Sequence, residues 1–258
     1  MKYKMVAVDL DDTILHKDKT ISEYTKSVFE ELSRHIKIVV ATSRGIQRAE
    51  EYAKQLHASV IVTLNGAVVH EDGVLIKTTP IPEETVRGIL SELSQVTPME
   101  LSIVNPEVIY TTDRYYIERG ESLPIDLDNY DAKKVQRIYA TTPKHEVLEA
   151  LPFGQMGLKL IRSVPQYYPD FHTIVRQEVN KAAGLKVVCE RFGILPEEVV
   201  AFGDEDNDFE MIQFAGCGVA MGNAIDALKV QADDITATNE EDGVAGWIEA
   251  HWESFLEE

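Results

Sequence analysis

Short apolar runs of strand character alternate with amphipathic helical patterns in the first third of this sequence. Three of these runs are Met5 to Leu10, Ile36 to Ala41 and Val60 to Leu64. The first helical pattern opens with Thr20 and Glu23 at the spacing of a capping box. Continuous apolar runs of this length are typical of strands buried on both faces. Because strand–helix–strand order favours a parallel sheet covered by helices, and the rhythm returns in the last third, we predict an α/β fold with a Rossmann-like core.

The middle of the chain lacks the regular alternation of strand and helix patterns, and this change predicts a second domain. After Pro80 one helical pattern, Glu83 to Leu93, precedes several strand-like runs separated by Pro- and Asp-rich stretches. This mixture is typical of an α+β domain. The sequence therefore predicts an α/β core domain at residues 1–80 and 180–258, interrupted by an inserted α+β domain at residues 81–179.

Charge and composition argue against several partners. The 258-residue chain has a formal net charge of −19, whereas nucleic acids and anionic membranes are bound by clustered Lys and Arg. A small phosphorylated substrate stays compatible, since a metal ion and a few local cations can reverse the sign within one cleft. The sequence shows no signal-peptide pattern, no apolar run of membrane-spanning length and no CxxC spacing. We expect a cytoplasmic protein without nucleic-acid or membrane partners.

Three aspartates, Asp9, Asp11 and Asp12, stand where the first predicted strand ends. Ligands bind at the carboxyl edge of open parallel sheets, and Asp9 and Asp11 would point to the same side there. Carboxylates this close repel each other, so either a cation neutralises them or one carries a proton. Mg²⁺ prefers oxygen ligands and would satisfy the first alternative. A solvated polar loop with an Asx turn explains the motif equally well.

A second acidic group, Asp204, Asp206, Asn207 and Asp208, follows the apolar run Val199 to Phe202. Acids are favoured at the N-terminus of a helix, which explains Asp206 and Asp208 well but the strand-terminal Asp204 poorly. If both strands end at one edge of the sheet, the two acidic groups together form an oxygen-rich Mg²⁺ site.

Hydroxyl, amide and cationic residues also stand at strand ends or at the start of a helix, as the two acidic groups do. Thr42 and Ser43 end the second strand ahead of a helix, where hydroxyls and backbone N–H groups suit a phosphate. Taken alone, they are better explained as an ordinary helix N-cap. Asn65 ends the third strand, where a turn would account for it. Lys181 begins a helix, where the helix dipole disfavours a cation unless an acidic cleft faces it, although a solvated lysine is the commoner case.

The order of these motifs resembles the haloacid dehalogenase superfamily of phosphohydrolases. The sequence reads DxDxT from Asp9, then a strand that ends in Thr42, then Lys181, then GDxxND from Gly203. The Asn65-Gly66-Ala67 element, the place of the insertion and "VAMGNA" near the C-terminus are similar to the Cof-type branch, whose large cap domain is of class II, subtype B. The second motif departs from the usual Thr-Gly-Arg, because Ser43 stands at the glycine position.

The resemblance implies a role for each residue. Asp9 would be the nucleophile that forms an aspartyl-phosphate, and Asp11 the general acid and later the general base. The implied Mg²⁺ ligands are Asp9, the backbone carbonyl of Asp11, Asp204 and Asp208, the last as a ligand or close by. The implied phosphate-binding residues are Thr42, Ser43, Lys181, Asn65 and Asn207.

These roles predict a Mg²⁺-dependent phosphatase of small phosphorylated metabolites, with sugar phosphates as the first choice, acting as a monomer or homodimer. A phosphomutase or phosphotransferase needs the same motifs and stays the alternative. A non-catalytic sensor would be expected to lack part of the set. The cap would close over the substrate, and its Tyr115, Tyr116, Tyr167 and His172 are candidates for specificity that cap core or surface would explain equally.

Overall fold

The chain folds as two units, the first of which is built from both of its ends. The structure, a computed structural model, describes residues 2–126, 130–162 and 170–256. The core unit comprises Met1–Lys77 and Asn180–Glu258, and the inserted unit comprises Thr78–Val179. Tyr167 lies outside the described residues.

The N-terminal part of the core unit alternates strands and helices. Its strands are β1 (Met5–Val8), β2 (Lys37–Ala41), β3 (Val60–Thr63), β4 (Val68–Glu71) and β5 (Val74–Thr78). Its helices are α1 (Glu23–Leu32) and α2 (Ile46–Gln55). The capping box predicted for α1 is wrong, because Ser22 is the N-cap and accepts the backbone N–H of Thr25. The Thr20 hydroxyl donates to Asp18 instead, at 2.6 Å.

The inserted unit has its own sheet and its own apolar core. Its helices are α3 (Glu83–Leu93), α4 (Arg114–Glu118) and α5 (His145–Glu149). Its strands are β6 (Glu100–Val104), β7 (Ile109–Thr111), β8 (Leu123–Pro124), β9 (Arg137–Thr141), β10 (Leu158–Arg162) and β11 (Phe171–Arg176). They run in the order β10-β11-β9-β6-β7-β8, and all neighbours are antiparallel except β7 and β8. Ile89, Ile103 and Ile138 lie in its buried core.

The C-terminal part of the core unit restores the strand–helix alternation. Its helices are α6 (Lys181–Phe192), α7 (Phe209–Phe214), α8 (Asp226–Gln231) and α9 (Gly243–Ala250). Its strands are β12 (Val199–Gly203), β13 (Cys217–Ala220) and β14 (Asp234–Ile235). Helix α6 begins at Lys181, as the sequence pattern indicates.

The two parts of the core unit share one sheet. Among the described residues the strand order is β14-β13-β12-β1-β2-β3-β4-β5. Every neighbouring pair from β14 to β3 is parallel, and β4 is antiparallel to β3. Val8 at the end of β1 is paired with Phe202 on one side and Val40 on the other. The predicted α/β class with a parallel-sheet core is confirmed, and the carboxyl ends of β12, β1 and β2 meet at one edge.

Two glycines bring helix α6 against the turn after β3. A Cβ atom on Gly184 would lie 2.3 Å from Cγ1 of Val62 and 3.1 Å from Cα of Gly66. Gly66 has a positive φ of 95°, and a Cβ there would lie 1.9 Å from the carbonyl oxygen of Asn180. Side chains at either position would push the start of α6 away from the sheet, so the small residues fix where Lys181 lies.

None of the helices in the described ranges combines the length and apolar character that crossing a bilayer requires.

Candidate active site

The strand ends of the core unit bring three buried carboxylates together. Asp9 directly follows β1, Asp204 directly follows β12, and Asp208 lies one turn further along the chain. Each has a carboxylate oxygen within 4.8 Å of the others. Their exposed fractions are 6%, 4% and 0%, so the acids do not form a solvated loop.

Lys181 lies fully buried between two of these acids. Its Nζ is 2.8 Å from Oδ1 of Asp9 and 2.6 Å from Oδ1 of Asp208. Burial acts to lower the pKa of this ammonium, but the charges of Asp208 and Asp9 outweigh it and raise the pKa. The cation at the start of α6 is therefore explained by the acids it faces, as the sequence position suggested.

The side chain of Asp208 stabilises the turn that carries Asp204. Its Oδ2 accepts the backbone N–H groups of Asp204 and Glu205 at 3.0 and 3.2 Å, while Oδ1 receives Lys181. A Cβ on Gly203 would lie 2.4 Å from Cγ of Asp208. The glycine that ends β12 thus makes room for this carboxylate, a purpose that the sequence alone did not reveal.

Thr13 connects the two acidic groups. Its hydroxyl donates to Oδ1 of Asp204 at 2.6 Å, although the two residues are 191 positions apart. Thr13 is buried. It belongs to the DxDxT motif, but the sequence pattern by itself assigned it no part in the site. The place of Thr13 in the DxDxT motif was the sequence signal that could have identified it as a site residue.

Burial and mutual repulsion raise the pKa of the acids. Burial raises the pKa of Asp204 to about 8, opposed by the Thr13 hydrogen bond and reinforced by the charges of Asp9 and Asp208. Burial likewise raises the pKa of Asp9 to about 7, while Lys181 lowers it and Asp208 raises it. Three carboxylates outnumber the ammonium group that contacts two of them. An oxygen-preferring divalent cation fits this donor set, because it would supply the missing positive charge.

Asp11 lies apart from the three buried carboxylates. Its Oδ1 and Oδ2 accept hydrogen bonds from Nη2 and Nε of Arg44 at 2.6 and 2.7 Å, and Lys19 reaches Oδ1 at 3.0 Å. Burial would raise the pKa of Asp11, but the two cations lower it overall. In the structure without a bound phosphate, the cations around Asp11 therefore favour its charged form. The structure shows Lys181 as the neutralising cation of Asp9 and pairs Asp11 with cations of its own.

The predicted phosphate-binding residues occupy the neighbouring strand ends. Thr42 is fully buried, and its hydroxyl accepts the backbone N–H of Arg44 at 3.2 Å. The backbone N–H of Asn65 donates to the carbonyl of Thr42 at 3.0 Å. The Asn207 amide donates to Oδ1 of Asn65 at 3.1 Å. Thr42 is thus buried, Asn65 and Asn207 are half-buried, and Ser43 is exposed.

Asn223, in the MGNA element, holds the loop after β1. Its side-chain amide donates to the carbonyl of Asp12 at 2.7 Å and accepts the backbone N–H of Asn239 at 3.0 Å. Asn239 in turn donates to the carbonyl of Leu15 at 2.8 Å. This pair ties the C-terminal part of the core unit to the loop that carries Asp11.

The tyrosine and histidine candidates of the inserted unit have different environments. Tyr115 and Tyr116 are exposed and contact each other edge to face, with ring centroids 5.3 Å apart. His172 is buried, and its ring lies 5.1 Å from that of His145. The environment of His172 therefore favours a role in the packing of the inserted unit.

The raised pKa of Asp204 predicts a pH-dependent stability. The carboxyl group titrates near its ordinary value of 3.8 in the unfolded chain and near 8 in the folded chain. Between these values the folded chain holds a proton that unfolding releases. The free energy of unfolding of the metal-free protein should therefore fall as pH rises from about 4 to about 8, by at most ~1.4 kcal/mol per pH unit for this group.

The measurement is urea unfolding in EDTA across this pH range. Asp204→Asn keeps an oxygen for the Thr13 hydroxyl but removes the titration of this group, so it should reduce the slope and leave the part that the raised pKa of Asp9 contributes. Equal slopes in the two proteins would contradict the assignment of the raised pKa to Asp204.

Comparison with known proteins identifies relatives along the whole chain. A family model described as haloacid dehalogenase-like hydrolase matches residues 6–248. The chain is 32% identical over 262 residues to 5-amino-6-(5-phospho-D-ribitylamino)uracil phosphatase YitU of Bacillus subtilis (strain 168), which covers 96% of this chain and 97% of that protein. It is 32% identical over 260 residues to YcsE of the same organism, a phosphatase of the same description, with 96% and 95% coverage.

A solved structure shares the fold. It is a haloacid dehalogenase-like hydrolase from Bacteroides thetaiotaomicron, 28% identical, with a TM-score of 0.80, and the match covers 97% of this chain and all of that one.

Proposed function

This chain belongs to the haloacid dehalogenase-like hydrolases and is a phosphoric monoester hydrolase of the Cof type, and we propose that it dephosphorylates small metabolites, sugar phosphates first, in a Mg²⁺-dependent reaction through an aspartyl-phosphate. One observation carries the proposal above the others. Asp9 is buried at the end of the central strand β1, with Lys181 at 2.8 Å and Asp204 and Asp208 beside it. This environment suits a carboxylate nucleophile that meets a phosphate.

Asp9 has the role of nucleophile in this proposal. One of its carboxylate oxygens forms a bond to phosphorus while the bond from phosphorus to the alcohol oxygen breaks. Asp11 gives a proton to the departing oxygen and later takes one from the water that hydrolyses the aspartyl-phosphate. The negative charge of an arriving phosphate acts against the two cations that lower the pKa of Asp11, and so favours its protonated form.

Lys181 and Thr42 bind the transferred phosphoryl group in this proposal. The Thr42 hydroxyl already accepts the N–H of Arg44, and its own hydrogen is then directed at a phosphoryl oxygen. Asn65 and Asn207 orient the phosphate from the next strand end, and the backbone N–H of Ser43 serves as a further donor. Asp9, the carbonyl of Asp11, Asp204 and the adjacent Asp208 would hold Mg²⁺, which when bound offsets negative charge on the phosphoryl group.

The proposed substrate class rests on the relatives. YitU and YcsE are phosphatases of 5-amino-6-(5-phospho-D-ribitylamino)uracil, whose phosphate is carried by a ribityl group. Phosphomonoesters on sugar or sugar-alcohol chains are therefore the first compounds to test, and that uracil derivative belongs among them.

The test is phosphate release from sugar phosphates, sugar-alcohol phosphates, nucleotides and pyridoxal phosphate, each with Mg²⁺ and with EDTA. We expect release that requires Mg²⁺ and is fastest with a compound of the first two classes. Equal release in EDTA would overturn the metal requirement, and preference for nucleotides would overturn the substrate class. Formation of an isomeric sugar phosphate in place of free phosphate would identify a mutase.

A further inference from the structure

The side chain of Arg44 contacts both oxygens of Asp11. Nε donates to Oδ2 at 2.7 Å and Nη2 donates to Oδ1 at 2.6 Å, which is the paired arrangement that a planar guanidinium makes with a carboxylate. We propose that Arg44 is a positioning residue for proton transfer by Asp11, fixing the orientation of that carboxyl group toward the leaving alcohol. The inference rests on the proposed function, because it presupposes that Asp11 donates the proton.

Arg44 is itself held on several sides. Its backbone N–H donates to the Thr42 hydroxyl, and its carbonyl accepts the backbone N–H of Leu64 at 3.0 Å. Its Nη1 donates to the carbonyl of Arg48 at 3.3 Å. Its guanidinium carbon lies 5.0 Å from the centre of the Tyr52 ring, within the range of a cation–π contact. A group restrained in this way can hold a partner in one orientation, whereas an exposed arginine cannot.

The two oxygens of Asp11 accept different numbers of hydrogen bonds from these cations. Oδ1 accepts from both Arg44 and Lys19, and Lys19 is tied to the same support because its carbonyl accepts the Tyr52 hydroxyl at 3.2 Å. Oδ2 accepts only from Nε of Arg44 among the residues that the structure describes. The oxygen with fewer donors is the better site for a proton. Because Arg44 donates one hydrogen bond to each oxygen, the additional bond from Lys19 leaves Oδ2 as the oxygen that carries the proton, and Arg44 holds that oxygen in place.

The chemical step balances with this assignment. The bond from an Asp9 oxygen to phosphorus forms as the bond from phosphorus to the alcohol oxygen breaks. The proton on Oδ2 of Asp11 moves to that alcohol oxygen, and Asp11 becomes a carboxylate with Arg44 still paired to it. A general acid is needed when the leaving group is a strongly basic alkoxide, and much less when it is a weakly basic phenolate.

The leaving group therefore supplies the test. We would measure kcat/KM of the wild-type protein and of Arg44→Gln with p-nitrophenyl phosphate and with the best sugar phosphate of the panel. This ratio covers steps up to release of the alcohol and excludes later hydrolysis of the aspartyl-phosphate. We expect Arg44→Gln to lower kcat/KM by about 10- to 100-fold for the sugar phosphate and by less than about 3-fold for p-nitrophenyl phosphate.

Two further variants make the test specific. Arg44→Lys keeps the charge but cannot make two parallel hydrogen bonds, so it should show the same selective loss in smaller measure. Arg34→Gln removes an exposed arginine that pairs with the exposed Glu30 and Glu31 at the end of helix α1, and it should change kcat/KM for neither substrate. If Arg44→Gln does not fold, as judged by urea unfolding, Arg44→Lys decides.

The outcomes separate the inference from the proposed function. Equal losses for the two substrates would show that Arg44 acts in phosphate binding or folding and would overturn the inference, as would no loss for either. A wild-type protein that hydrolyses neither substrate would overturn the proposed function instead.

Discussion

Replacing Asp9 with asparagine should lower kcat by at least about 10³-fold, as expected when a covalent nucleophile is removed. The amide keeps the shape of the side chain but cannot attack phosphorus as a carboxylate does. The variant should stay folded, because Lys181 keeps Asp208 as a partner and one buried charge is gone. The measurements are steady-state phosphate release and protein-bound phosphate after an acid quench, which should be found in the wild type and absent from the variant.

Asp12→Asn is the matched control for this prediction. The residue is three positions away and its side chain is 55% exposed. Its φ of 55° is one that asparagine adopts readily. We expect activity within about 2-fold of the wild type, since exposed substitutions of this kind change stability and environment little. An Asp9→Asn protein that retains a tenth of the activity would rule out covalent catalysis by Asp9.

Lys181→Met should produce a large loss of stability. Methionine fills a similar volume but leaves Asp9 and Asp208, both buried, without their cation. Breaking a buried ion pair from one side costs about 3–5 kcal/mol, because the remaining charge is uncompensated. We expect the free energy of unfolding, measured by urea at pH 8 in EDTA, to fall by that amount. Phosphatase activity should fall with it.

Two comparisons isolate the cause of this loss. Lys186→Met makes the same change at an exposed position of the same helix, and it should alter stability by less than about 0.5 kcal/mol. The double variant Lys181→Met/Asp208→Asn removes one of the two uncompensated charges and should regain part of the lost stability. A Lys181→Met protein as stable as the wild type would mean that the two acids are neutral without it.

The strand ends of the core could be predicted because their signals are local. Asp9 and Asp204 each follow an apolar run, and a parallel sheet brings the ends of adjacent strands together whatever lies between them in the chain. Lys181 could be singled out because a cation at a helix start contradicts the helix dipole and so implies acids nearby.

The partners of these residues could not be predicted, because they depend on how distant segments pack. Nothing in the spacing of the sequence indicates that Arg44 reaches Asp11, or that Thr13 reaches Asp204. The capping prediction at Thr20 was wrong because a local hydrogen bond competes with the cap. The Thr20 hydroxyl donates to Asp18, and Ser22 caps the helix instead. The short elements α4, α5 and β14 carry too few residues to show a period.

The position of β1 in the sheet has a consequence for how the protein is made. Its neighbours are β2, which ends at Ala41, and β12, which begins only at Val199. As the ribosome extends the chain, one side of β1 stays without its partner strand until β12, at the start of the last quarter of the sequence, has emerged. The inserted unit, whose sequence is continuous, is complete earlier. We therefore expect nascent chains that stop before β12 to hold a formed inserted unit and an unfinished core, and to need protection from aggregation during synthesis.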